Sequence, residues 1–238
     1  MLVHTLGTDH RMWDPVIGRL ARERDVIAVD MPGFGGSPPL DDGAPAPAAD
    51  LAAAIARFLR DDLDIERPHV AGNSLGGWVA LELGLQHAAR TVTAIAPAGL
   101  WRGGLAPKRY AARGLARAVL PALPLLMAAP AGRRAALMST TAHPERIPAA
   151  AAHRLVRAYA LAPGFAAAGD AMRAGSFRDL GRVGVPVTLV WPELDRLVRR
   201  PEEIPPRVHE IALSGAGHMP TWDDPEAVAT ALLDGSSR

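Results

Sequence analysis

The stretch His69-Val70-Ala71-Gly72-Asn73-Ser74-Leu75-Gly76 constrains the fold of this chain more than any other. A short apolar run ends, a serine follows with a glycine two residues to either side, and an apolar helical stretch begins at once. A strand that turns this sharply into a helix holds the serine backbone in a strained conformation. Flanking glycines let the neighbouring segments approach closely enough for the turn to close. The hydroxyl then stands above the end of a sheet, near the positive end of the helix. The G-x-S-x-G spacing predicts a helix-covered parallel sheet and marks Ser74 as a candidate nucleophile.

The remaining sequence supplies the strands such a sheet needs. Val26-Ile27-Ala28-Val29, His69 to Ala71, Val92 to Ala96, Val187 to Trp191 and Val208 to Leu213 are short β-rich apolar runs. Longer helical stretches separate them. Leu51, Ile55, Phe58, Leu59 and Leu63 fall near helical spacing, so one face of 51–63 is expected to be buried. A closing helix is expected from Pro225 to about Leu233, with Asp223 or Asp224 as its cap. The fold class is therefore α/β: a mostly parallel sheet flanked by helices.

Between Trp101 and Arg182 the strand-like runs vanish and Ala, Arg, Gly and Pro dominate. The block is too long for an ordinary connection. It reads as an inserted helical cap of four or so short helices, 101–182, on a core formed by 1–100 and 183–238. Leu115, Leu120, Leu125, Leu126, Leu137, Leu155 and Tyr159 are its expected apolar anchors.

Composition excludes several functions. The 238 residues contain no cysteine, which removes disulfides, thiolate metal sites and a cysteine nucleophile. Basic and acidic residues balance, 26 against 25, and read as interspersed, which argues against a nucleic-acid or anionic-membrane footprint. Met1 to Trp13 lacks the pattern of a signal peptide. The longest uncharged run, Ala118 to Gly132, is short for a bilayer span and holds Pro121, Pro124 and Pro130. A cytoplasmic protein without a membrane span is expected. No metal is expected, because the histidines show no H-x₃-H or H-E-x-x-H spacing. Gly33-Phe34-Gly35-Gly36-Ser37-Pro38 resembles a dinucleotide loop only superficially, and no cofactor is expected.

Two further groups fall in chain order behind Ser74. Asp195 lies just past the apolar run 187–191, at the sheet face where open α/β folds hold their sites. Glu193 competes with it on the same loop. His218 follows the last strand-like run in the glycine loop Ser214-Gly215-Ala216-Gly217. The order Ser, Asp, His is the one the serine elbow requires.

With these residues assembled, the chain resembles the α/β-hydrolase fold family in its small cap-bearing branch. The resemblance runs through Val3-His4-Thr5-Leu6-Gly7, Trp13, Asp30 to Ser37, the elbow, Asp195 and Gly217-His218. It implies that Ser74 is the nucleophile, His218 the general base and then acid, and Asp195 the group that orients the histidine. The backbone N–H groups of Leu6 and Leu75 would form the oxyanion hole. Asn73, Trp101 and Trp222 would face the substrate. The activity implied first is hydrolysis of a small or medium carboxylic ester or related acyl substrate. Asn73 and Trp222 also resemble residues of hydrolases that cleave carbon–carbon bonds of ring-fission diketones, and a non-catalytic ligand-binding member is the third reading. A homodimer is left open. The family normally supplies two further strands and most of a third ahead of His4, and the strand so shortened is interior and hydrogen-bonded on both sides. The expectation drawn from that is low stability and weak activity of 1–238 without them.

Overall fold

The computed structural model describes residues 1–40, 45–101, 105 and 111–238. Residues 102–104 and 106–110 of the expected insertion lie outside the described residues. Six strands form one parallel sheet: β1 (Leu2–Val3), β2 (Ala28–Val29), β3 (His69–Asn73), β4 (Thr91–Ile95), β5 (Val187–Pro192) and β6 (His209–Leu213). Their order across the sheet is β2-β1-β3-β4-β5-β6. Side chains alternate between the two faces, as pleating requires. Val3, Val70, Val92 and Leu189 join one core; Leu2, Ala71, Ile95 and Val190 join the other.

Helices α2 (Ala48–Leu63) and α3 (Leu75–Leu85) cover the first face, while α1 (Asp14–Leu20) and α9 (Pro225–Ser236) cover the second. α9 starts where Asp224 accepts from the Ala227 N–H at 2.9 Å, with Pro225 in the first turn. α2 ends on Asp64, in the left-handed region at φ 55°. Its buried stripe is Leu51, Ile55 and Leu59, with Ala48 and Ala52 completing it. Phe58 and Leu63 are exposed and do not belong to it, contrary to the spacing argument. The run 26–29 likewise contributes only Ala28 and Val29 as strand, because β1, its sheet partner among the described residues, is two residues long.

β1 occupies the interior position expected of it, with Leu2 opposite both Ala28 and Ala71. The Met1 ammonium donates to the His69 carbonyl at 2.7 Å, and burial lowers its pKa to about 6. Beneath it, β2 and β3 flank a cleft of about 330 Å³ walled by Val26, Ile27, Val70 and Leu232.

Between β4 and β5 the chain makes five helices among the described residues: α4 (Ala111–Ala118), α5 (Leu123–Ala128), α6 (Pro130–Leu137), α7 (Ala149–Leu161) and α8 (Phe165–Ala174). Among the described residues this segment has no separate apolar core. Phe165, Ala168 and Phe177 join the first sheet core, and Leu123, Met127, Leu137 and Leu155 join the second. Three of its expected anchors, Leu115, Leu125 and Leu126, are exposed instead.

β1, β3 and α3 meet at a tight backbone junction. A Cβ built on Gly76 would lie 2.3 Å from the Val3 carbonyl oxygen and 2.4 Å from that of His4. Both obstacles are backbone, so neither can rotate away. Gly76→Ala is expected to lower unfolding stability by about 2 kcal/mol or more, measured by urea denaturation. A Gly18→Ala control, where an added Cβ meets nothing within 4 Å, should not fall.

Candidate active site

Ser74 caps α3 with φ 57° and ψ −115°, a conformation costly for any residue with a Cβ. The surroundings over-determine it. Its N–H donates to the Ile95 carbonyl at 2.9 Å, and its carbonyl accepts from Trp78 and Ala98 at 3.0 Å each. Gly72 makes the turn possible, since a Cβ there would fall 2.0 Å from the Gly76 carbonyl oxygen. The Ser74 side chain therefore projects at the carboxyl ends of the strands.

β5 and β6 deliver the other two residues at the same sheet edge. His218 Nδ1 and Asp195 Oδ2 are 2.7 Å apart, with both side chains only 4% exposed. Asp195 Oδ1 accepts from the Leu197 N–H at 2.7 Å and the Val198 N–H at 3.0 Å. Burial pushes the Asp195 carboxyl up, but the His218 hydrogen bond and charge and these two N–H groups outweigh it. The net pKa lies below the usual carboxylate value. Glu193 turns elsewhere: it accepts from Ser214 Oγ at 2.7 Å and from the Gly215 N–H. The acid placed against His218 is Asp195.

Ser74 and His218 share no hydrogen bond among the described residues. Asn73 connects their backbones instead. Its Nδ2 donates to the Ile95 carbonyl at 3.1 Å and to the His218 carbonyl at 3.0 Å, and the residue is fully buried. Asn73 thus stands as a strut between elbow and histidine loop. Trp101 Nε1 donates to the Gly175 carbonyl at 2.8 Å, and its ring stands edge-on to Trp78. Trp222 Nε1 is buried without a hydrogen-bond partner among the described residues.

The loop after β1 is built around one carbonyl. The Thr5 oxygen accepts from His4 Nδ1 at 2.8 Å, Thr8 Oγ1 at 3.0 Å and the Thr8 N–H at 3.2 Å. His4 Nε2 accepts from the Met31 N–H at 3.0 Å, which fixes the ring as the neutral Nδ1–H tautomer. Burial lowers its pKa in the same sense. In a trans peptide the next N–H points opposite to the carbonyl. Holding the Thr5 oxygen therefore aims the Leu6 N–H the other way, as an available donor. The Leu75 N–H, in the first turn of α3, has no intrahelical partner. Gly7, at φ 82°, closes the loop against Tyr159 and Phe165 of the insertion.

A full-length comparison now bears on this arrangement. The model of the alpha/beta hydrolase family matches residues 1–231. The chain belongs to this family. Epoxide hydrolase EphH of Mycobacterium tuberculosis is 32% identical over 199 residues, covering 78% of this chain and 92% of that protein. 3-oxoadipate enol-lactonase 1 of Acinetobacter baylyi is 37% identical over 87 residues, covering 37% of this chain and 31% of its own. Among solved structures, the enol-lactonase of Burkholderia xenovorans LB400 superimposes with a TM-score of 0.75 at 21% identity, covering 100% of this chain and 91% of that one. As an alpha/beta hydrolase, the chain is a hydrolase by family.

Two site residues escape a reading of the sequence. His4 was part of the resemblance, but its clamp on Thr5 is not visible in a motif. Asp223 was a candidate helix cap; Asp224 takes that role. Asp223 accepts from the N–H groups of Gly217 at 2.8 Å, Ala142 at 2.9 Å and His143 at 2.9 Å. It ties the segment before His218 to the insertion. The signal was a surplus: two aspartates precede Pro225, and a cap needs one. The glycine turn after β2 is held by Asp30, which accepts from the Gly36 N–H at 2.9 Å and the His10 N–H at 2.7 Å, so it is a structural turn.

The lowered Asp195 pKa carries a pH dependence. A depressed carboxyl stabilises the fold above its unfolded-state pKa, about 3.9, and loses that contribution as pH falls through the folded value. The melting-temperature advantage of wild type over Asp195→Asn should be constant above about pH 5 and shrink below about pH 4. An advantage that grows on acidification would contradict the paired carboxylate.

Proposed function

We propose that this hydrolase cleaves a carboxylic ester or lactone through an acyl-enzyme on Ser74. The observation that carries the reading is the 2.7 Å His218–Asp195 pair at the sheet edge where the strained Ser74 stands. Asp195 engages Nδ1, which leaves Nε2 to accept the serine proton. Ser74 Oγ attacks the acyl carbon as its proton passes to His218. The carbonyl oxygen takes the negative charge and is met by the Leu6 and Leu75 N–H groups. The tetrahedral adduct collapses, and the leaving alcohol or enol departs with the proton from His218. Water then attacks the acyl carbon, His218 accepts its proton and returns one to Ser74, and the acid is released. No cofactor takes part in these steps.

Chemistry at the elbow also weighs against carrying over the activity named for the mycobacterial relative. Attack by a serine on an epoxide carbon forms an ether, which has no carbonyl for water to attack. A carboxylate at position 74 would form a hydrolysable ester; Ser74 would not. The carbon–carbon reading rested on Asn73 and Trp222, and both amide hydrogens of Asn73 are engaged by backbone carbonyls. Ester or lactone hydrolysis therefore has the stronger support, with the insertion as the cap over the substrate.

Two measurements test this. A fluorophosphonate probe followed by peptide mapping should place the adduct on Ser74, and Ser74→Ala should abolish it. Labelling that survives this substitution would overturn the assignment. Asp195→Asn should lower kcat on p-nitrophenyl esters by about 10⁴, because the histidine tautomer is lost. Glu193→Gln should cost less than about tenfold, the ordinary range for a residue outside the charge-stabilising set.

A further inference from the structure

A histidine that works from a glycine loop has to be held by something outside that loop. His218 follows Gly215 and Gly217, and Gly215 lies in the left-handed region at φ 68°. Glycine samples more backbone conformations than any other residue, so this loop does not fix its own path. A general base needs its ring placed within about 0.5 Å. Asp195 holds only the Nδ1 edge of that ring.

The backbone on either side of His218 is pinned to one segment of the insertion, 138–143. Downstream, the His218 carbonyl accepts from Asn73 Nδ2 at 3.0 Å, and the Met219 N–H donates to the Thr140 carbonyl at 2.7 Å. That peptide plane is held at both edges. Upstream, the Gly217 N–H donates to Asp223 Oδ2 at 2.8 Å. Asp223 carries the hold across to the segment: the Ala142 N–H lies 2.9 Å from Oδ2 and 3.0 Å from Oδ1, and the His143 N–H donates to Oδ1 at 2.9 Å. Gly217 rests directly on the same backbone, since a Cβ there would fall 2.7 Å from the Ala142 nitrogen and 2.8 Å from the Thr141 carbonyl carbon. The loop of the acid meets this segment too, where Arg196 Nη1 donates to the Met138 carbonyl at 2.6 Å.

We propose that Asp223 is a positioning residue for His218: acting through Gly217, it seats the base on segment 138–143. The proposal rests on the acyl-enzyme reading of the site and adds a residue to it. A carboxylate is what this position requires. Three backbone N–H groups converge on its two oxygens, and among the described residues it pairs with no cation. An amide of the same shape has one acceptor oxygen, and its NH₂ would face a donor on the Gly217 side or on the His143 side. Asp223→Asn therefore loosens one end of the tether without changing side-chain volume. Asp224, the next residue, has the separate task of capping α9 through the Ala227 N–H. The two neighbouring carboxylates thus divide positioning from helix stability.

Steady-state kinetics on p-nitrophenyl acetate test this with the full chain, below the melting temperature of each variant. Asp223→Asn should lower kcat by about tenfold to a hundredfold and leave KM within about twofold, because the base is misplaced while substrate contacts are kept. Gly217→Ala, whose added Cβ presses on the Ala142 backbone, disturbs the same seat independently and should show the same split. Asp224→Ala should lower the melting temperature through the lost cap yet keep kcat within about twofold. The rate of fluorophosphonate labelling should fall about tenfold or more on Asp223→Asn in the wild-type background. In an Asp195→Asn background, where the ring is already loose, it should fall less than about threefold. Two results would overturn the proposal: kcat within about twofold of wild type in the folded Asp223→Asn and Gly217→Ala chains, or an undiminished loss in the Asp195→Asn background. A wild-type chain that neither hydrolyses the ester nor is labelled at Ser74 would instead overturn the acyl-enzyme reading, and this proposal with it.

Discussion

Close backbone contact at the end of β3 is the constraint on which the rest depends. Gly72 lets the turn after the strand approach α3, and Gly76 lets α3 approach the carbonyls of Val3 and His4. Neither contact survives a Cβ without movement of backbone. Because the helix is held there, Ser74 keeps its positive φ, and the Leu75 N–H stays at the free first turn of α3. The same contact fixes β1 relative to α3. It thereby sets the distance between the two backbone donors that would flank a developing oxyanion. A site of this kind is a property of packed backbone, and its side chains are held by what surrounds them.

The histidine loop shows that principle again. His218 is held on one side by Asp195, on another through its own carbonyl by Asn73, and at the preceding residue by Asp223. Asp223 also holds Ala142 and His143, so the loop and the insertion share one carboxylate. The Met219 N–H adds a bond to the Thr140 carbonyl at 2.7 Å. The segment between β4 and β5 is thus stapled to the residues beside the proposed general base.

Much of this was legible in the sequence because it depends on local pattern. The alternation of short apolar runs and helical stretches marks a parallel sheet, and the glycine-framed serine marks the elbow. Asp195 and His218 could be picked out from strand ends and chain order, and the structure places their side chains together. Features that depend on what packs across from a residue were not legible. Leu125 and Leu51 look alike in sequence, yet one faces α2's interior neighbours and the other faces solvent, according to elements distant along the chain. The roles of Asp223 and Asn73 require knowing that the histidine loop lies over the elbow. Phe58 was placed on a buried stripe by spacing alone, and three-dimensional packing left it outside.

The central claim is that the strained serine, the paired histidine and the two aimed N–H groups together perform acyl transfer. Rapid-quench mass spectrometry during turnover of p-nitrophenyl acetate tests it most directly. The account predicts a burst of p-nitrophenol and a transient acetyl adduct of about 42 Da on the peptide that contains Ser74. It also predicts that the adduct accumulates further in His218→Ala if any forms, since release of the acyl group needs the same base. Hydrolysis by the wild-type chain with no burst and no acyl group on Ser74 at any time would contradict the account.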